Sequence, residues 1–162
     1  MRFKSKKNPD PVMSTPKFIT NTTTFNAVAT IVWDALVNPE KTKIYMFGCV
    51  TVSDWKPGSE LIWRGHYEGK DMVFVKGHIV EIVPYQKLVY TVFDPNSTME
   101  DIPANYLTVS YILKEEQGVT TLTVTQGDYS TVADGERRYQ ESYNGGEGWN
   151  PILEAIKKMI EN

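Results

Sequence analysis

The sequence predicts an α+β fold in which a curved antiparallel sheet of about seven strands, in the order β-α-α-β6-α, wraps around a long C-terminal helix. Three observations lead there. From Gly48 to Asp128 the hydrophobic pattern alternates, and turn chemistry interrupts it at Pro57-Gly58, Glu68-Gly69-Lys70, Pro84-Tyr85, Asp94-Pro95-Asn96 and Gln117-Gly118. From Trp149 onward the period becomes helical: Trp149, Ile152, Leu153, Ile156, Met159 and Ile160 form one apolar stripe, and Glu154, Lys157, Lys158 and Glu161 lie opposite. Such a helix is about 21 Å long at ~1.5 Å per residue, and it is the only large amphipathic element available to cover the apolar face of the strands.

Taken in order, residues 1 to 16 carry Arg2, Lys4, Lys6 and Lys7 among Pro9, Pro11 and Pro16, and read as a flexible tail ahead of a single domain over residues 17 to 162. Lys17 to Phe25, rich in threonine, suits a strand, after which Asn26 is the expected N-cap of a helix with Val28, Val32, Ala35 and Leu36 on one face. Asn38 before Pro39 ends that helix, and Pro39-Glu40 opens a second one to about Met46. Six strands follow, approximately Cys49 to Asp54, Glu60 to Tyr67, Asp71 to Val83, Lys87 to Asp94, Asn105 to Glu115 and Val119 to Asp128. The clearest alternation sets Leu107, Val109, Tyr111 and Leu113 against Thr108, Ser110, Ile112 and Lys114. Ser130 to Asn144 is expected to hold a short helical turn, and Gly145, Gly146 and Gly148 mark a hinge at the entry to the last helix.

Composition narrows the function. A chain of 162 residues with 41% hydrophobic and 23% charged residues is long enough to bury a core without disulfides or a structural metal. Nothing approaches the ~20 apolar residues of a membrane-spanning helix. The first ten residues hold a net +3, leaving −6 for the remainder, which suits neither nucleic acid nor any other polyanion. With Cys49 alone and no apolar secretory leader, the expected location is the cytoplasm.

No catalytic constellation stands out. His66 and His78 sit on separate strands away from Cys49, so no metal is expected, and His78 alternates outward with Lys76. Cys49, between Gly48 and Val50, has no adjacent base and reads as a small buried side chain. Neither a nucleophile elbow nor a phosphate loop is present, and no cofactor is expected. Glu81 shares strand parity with Val73, Val75, Gly77 and Ile79, the set placed inward, so its carboxylate is expected near the rim of any internal space; a strand-end pairing with Lys87 is the alternative. Trp63, Tyr67, Tyr90 and Tyr111 share the inward parity with Val109, and Trp149, Leu153 and Ile156 face them from the helix. These residues either line a pocket or fill a dry core, since parity describes both equally well.

Several local signatures resemble a known family. They are Val32-Trp33-Asp34-Ala35-Leu36 with Asn38-Pro39-Glu40, Pro57-Gly58 before a strand, Gly77-His78-Ile79-Val80-Glu81-Ile82-Val83-Pro84 leading to Lys87-Leu88-Val89-Tyr90-Thr91, Gly118-Val119-Thr120-Thr121-Leu122-Thr123-Val124, and the closing Gly148-Trp149. In this order they resemble the helix-grip fold of the START-like (SRPBCC, Bet v 1-like) superfamily, in the branch of the activator of Hsp90 ATPase homologue domain, from about Lys17 to the end of the chain. The resemblance implies a cavity for a small hydrophobic or amphipathic ligand between sheet and terminal helix, without necessary catalysis, in a monomer or homodimer. A polyketide cyclase or dehydratase reaction in the same cavity, with Glu81, Tyr90 or Tyr111 steering protons, is the runner-up. A chaperone-interaction module comes third, because the eukaryotic activator has a further N-terminal domain where this chain has Lys4, Ser5, Lys6 and Lys7.

Overall fold

The computed structural model describes residues 15 to 162, so most of the expected tail lies outside the described residues. The expected element order is present. Strand β1 (Ile19–Phe25) leads to helices α1 (Ala29–Val37) and α2 (Pro39–Tyr45), and six strands follow: β2 (Val50–Ser53), β3 (Glu60–Tyr67), β4 (Lys70–Val83), β5 (Lys87–Val92), β6 (Leu107–Glu116) and β7 (Val119–Gly127). The chain closes with α3 (Gly135–Tyr143) and α4 (Asn150–Glu161). All seven strands form one antiparallel sheet in the order β1-β7-β6-β5-β4-β3-β2.

Short connections explain that meander. Glu68-Gly69 and Gln117-Gly118 each place two successive residues at positive φ, the two-residue turn whose twist matches that of the strands it joins. One face of the sheet then collects Trp63, Ile79, Leu88, Tyr90, Val109, Tyr111, Leu122 and Val124, and this face packs in one core with Val32 and Leu36 of α1 and with Leu153 and Ile156 of α4. The opposite face is polar, with threonine hydroxyls facing each other across β1 and β7 at Thr20–Thr125 (3.4 Å) and Thr22–Thr123 (3.2 Å).

Two local expectations are corrected. The N-cap of α1 is Val28, not Asn26, and Val28 has no capping side chain. The role passes to Glu115, whose carboxylate accepts the Ala29 N–H at 2.7 Å from strand β6. Between β7 and α4 the chain forms the nine-residue helix α3, longer than the short turn expected there. Its side chains are largely polar, so it lacked an apolar stripe; Tyr139 and Tyr143 stack on it at 5.4 Å, and Lys17 lies over the Tyr139 ring.

Candidate functional site

The inward face of the sheet and the start of α4 do not close completely on one another. Between them lies a cavity of about 570 Å³ that opens to solvent beside the exposed ring of Phe47 (86% exposed). Its floor is Trp63 of β3, Phe74 and Val75 of β4, Tyr90 and Val92 of β5, Val109 of β6 and Gln126 of β7. Trp149 and Ile152 of the terminal helix form its roof, joined by Ser142 of α3 and Gly148. Met46, Phe47 and Cys49 supply the remaining wall from the segment after α2.

Irregular pairing decides which strand residues reach this space. Trp63 pairs with Val75 but Arg64 with Val73, so β4 carries an extra residue, and that residue, Phe74, turns into the cavity. Val73, expected inward, instead stands opposite the outward Arg64. A second shift between Ile79 and Glu81 has the same effect further along: Ile79 is fully buried, Ile82 packs on the core, and the intervening Glu81 faces solvent. The expectation that Glu81 approaches the cavity rim is therefore corrected. Its carboxylate pairs with Lys87 at 3.0 Å on the outer face.

Tyr67 is the other correction. Its parity matches that of Trp63, but it pairs with Lys70 at the tip of the β3–β4 hairpin, beyond the reach of the helices, and is 59% exposed. Of the remaining expected residues, Trp63, Val75, Tyr90, Val109 and Trp149 line the cavity, whereas Ile79, Tyr111, Leu153 and Ile156 are buried in the core. Met46, Phe47, Cys49, Phe74, Val92, Gln126, Ser142, Gly148 and Ile152 also line the cavity and were missed. For Val92, Gln126 and Ile152 the signal was there, since they extend the parities of Tyr90 and of Val124 and the stripe of α4. Phe74 carried none, because a bulge is invisible to a period-two reading.

The lining contains no carboxylate, lysine or arginine. Its polar atoms are few and mostly engaged. The Trp149 indole N–H donates to Gln126 Oε1 at 2.8 Å, and the Tyr90 and Tyr111 hydroxyls share a hydrogen bond of 2.6 Å. Burial raises the pKa of both tyrosines, so both stay protonated; burial also raises that of the Cys49 thiol, which holds it in its unreactive form. At the helix entry Asn21 of β1 accepts the Trp149 N–H at 2.8 Å through its side-chain oxygen, and a Cβ on Gly148 would collide with that oxygen. The histidines lie elsewhere, His66 beside Asp71 (3.2 Å) and His78 beside Thr91 (3.2 Å), and among the described residues no cluster of metal-ligating side chains occurs. No helix among them is long and apolar enough to cross a membrane.

The seven-stranded sheet packed on a terminal helix is a fold that this chain shares with known proteins. Residues 26–161 match the family model of the activator of Hsp90 ATPase homolog 1-like proteins. The chain belongs to this family. A Cytophaga hutchinsonii protein known from its solution structure is 35% identical over 90% of this chain and 94% of its own, with a TM-score of 0.69. An Hsp90 activator from Plasmodium falciparum shares the fold at 16% identity (TM-score 0.63, covering 90% of this chain and 96% of that one). So does CalU16 from Micromonospora echinospora at 18% (TM-score 0.62, 88% and 75%). Among curated proteins, none matches. The family's helix-grip architecture accounts for both halves of the site, the sheet supplying the floor and α4 the roof.

Proposed function

We propose that the protein binds a small hydrophobic or amphipathic molecule in the space between the sheet and α4. One observation supports this above others: a cavity of about 570 Å³, within the ~300–1,000 Å³ usual for ligand sites, is walled by aromatic and aliphatic side chains with no charged group and few polar atoms. A dry core of this size would leave its lining without contact partners, a loss that a bound apolar body repairs. Enzymatic use of Glu81 drops out, since that carboxylate is on the opposite face of the sheet from the cavity.

The neutral fluorophore N-phenyl-1-naphthylamine tests the reading directly. Saturable binding is expected in the native protein, weakened at least about tenfold in Ile152→Trp, which fills the cavity from the roof, with circular dichroism unchanged. Absence of saturable binding, or equal binding by the filled variant, would overturn it.

A further inference from the structure

A second concavity of about 300 Å³ adjoins the first, sharing Val75, Val92, Gln126 and Ser142 with it and continuing to Arg137, Arg138 and Glu141 of α3. The two spaces thus lie side by side, one apolar and the other bearing charged side chains. Its two arginines are not equivalent. Arg137 is committed, its Nε to Asp134 and its Nη1 to Glu141 at 2.7 Å. Half-buried Arg138 meets no carboxylate within ion-pair distance among the described residues; its Nη1 donates only to the carbonyl oxygens of Asn105 (3.1 Å) and Ala133 (3.5 Å). The Nε–Nη2 edge, the edge that receives a carboxylate through two parallel hydrogen bonds, has no protein partner among those residues.

We propose that the ligand is an amphipathic monocarboxylate whose apolar body occupies the cavity and whose carboxylate binds the free edge of Arg138. The inference rests on the ligand-binding reading above and specifies its head group. Position supports it: Ser142, in the wall between the two spaces, follows Arg138 by four residues on α3, so the two side chains are neighbours on one face, and a chain leaving the cavity past Ser142 meets the guanidinium. Charge supports it as well. A carboxylate inside the uncharged cavity would be desolvated without compensation, whereas at Arg138 it meets a cation that has itself lost hydration and gained no counter-ion. Burial lowers the pKa of Arg138, an effect that the nearby charge of Asp134 offsets only in part. Asp94 and Glu141 also line the groove, Asp94 accepting the Asn96 N–H (2.8 Å) and Glu141 held by Arg137, so a single negative charge fits there better than a phosphate or a dicarboxylate.

Displacement of N-phenyl-1-naphthylamine by dodecanoic acid and by dodecan-1-ol provides the test, in the native protein, Arg138→Gln, Arg138→Lys and Ile152→Trp. Arg138→Gln should weaken the acid about tenfold and leave the alcohol within about twofold, while Arg138→Lys recovers part of the loss. Added salt should weaken the acid selectively. Equal effects of Arg138→Gln on acid and alcohol, or none on either, would overturn the head-group assignment alone, provided that probe and alcohol still bind and Ile152→Trp still excludes them. Failure of probe, acid and alcohol to bind the native protein would overturn both readings together.

Discussion

The indole N–H of Trp149 donates to the side-chain oxygen of Gln126 across 2.8 Å, tying the first turn of the terminal helix to the last strand and forming one corner of the cavity. Trp149→Phe removes the donor and leaves the Gln126 oxygen unpaired at a half-buried position, and should lower unfolding stability by about 1–2 kcal/mol in urea titration. In the double variant with Gln126→Met the second loss should be smaller than the first, since the polar group left stranded is gone. Additive losses would show that the two side chains do not depend on each other.

The Tyr90–Tyr111 hydroxyl pair offers a stricter case, because both side chains are almost wholly buried. Either single change to Phe strands a hydroxyl and should cost about 1–3 kcal/mol, and the double change less than the sum.

Stability against pH follows from the same residues. Burial raises the pKa of Tyr45, Tyr90 and Tyr111 in the folded state above the unperturbed value of 10.0. Their contribution is fully present below about pH 10 and is lost as pH rises beyond it, because the unfolded chain ionises first. On the acid side the hydrogen bond from Lys41 lowers the pKa of Asp34, so its contribution is present at neutral pH and is lost as pH falls through the acid range. Denaturation midpoints measured across pH should be flat near neutrality and fall at both ends. Phenolate absorbance from these three tyrosines that develops before the alkaline unfolding transition would contradict the assignment.

Glu115 should behave as a helix cap supplied from a distant strand. Glu115→Ala leaves the Ala29 N–H without its acceptor and removes a negative charge from the start of α1, and is expected to cost about 1 kcal/mol in thermal or urea unfolding. Asn26→Ala should not reproduce that cost through a capping contact, because the Asn26 side chain is not the cap.

Gly77 is expected to be intolerant. A Cβ there would fall on the backbone carbonyl of Thr91 in the adjacent strand, and a strand pair cannot widen locally without breaking its ladder. Gly77→Ala should destabilise by more than about 3 kcal/mol or prevent folding. At Gly118, in an open turn with positive φ, the change to Ala should cost only about 1 kcal/mol. Similar expression and melting temperature for the two variants would refute the distinction.

Residue pattern alone determined every main element but α3, the antiparallel order of the strands, the apolar stripe of α4 and most of the core, because periodicity records which side of an element faces away from water. The alternation of Leu107, Val109, Tyr111 and Leu113 is buried as read, and the turns at Glu68-Gly69 and Gln117-Gly118 join the strands that they were expected to join. Periodicity fails where pairing is irregular. Two bulges turn Phe74 inward and Glu81 outward, and no property of either side chain announces this, because a bulge belongs to the register between two strands. Parity also says nothing of extent, so Tyr67 keeps the inward phase yet lies beyond the helices that would bury it. Whether the inward aromatics filled a core or surrounded a space was undecided by sequence. Tertiary structure decided it through the distance at which Asn21 and Gln126 hold Trp149, and with it the roof of the cavity, from the sheet.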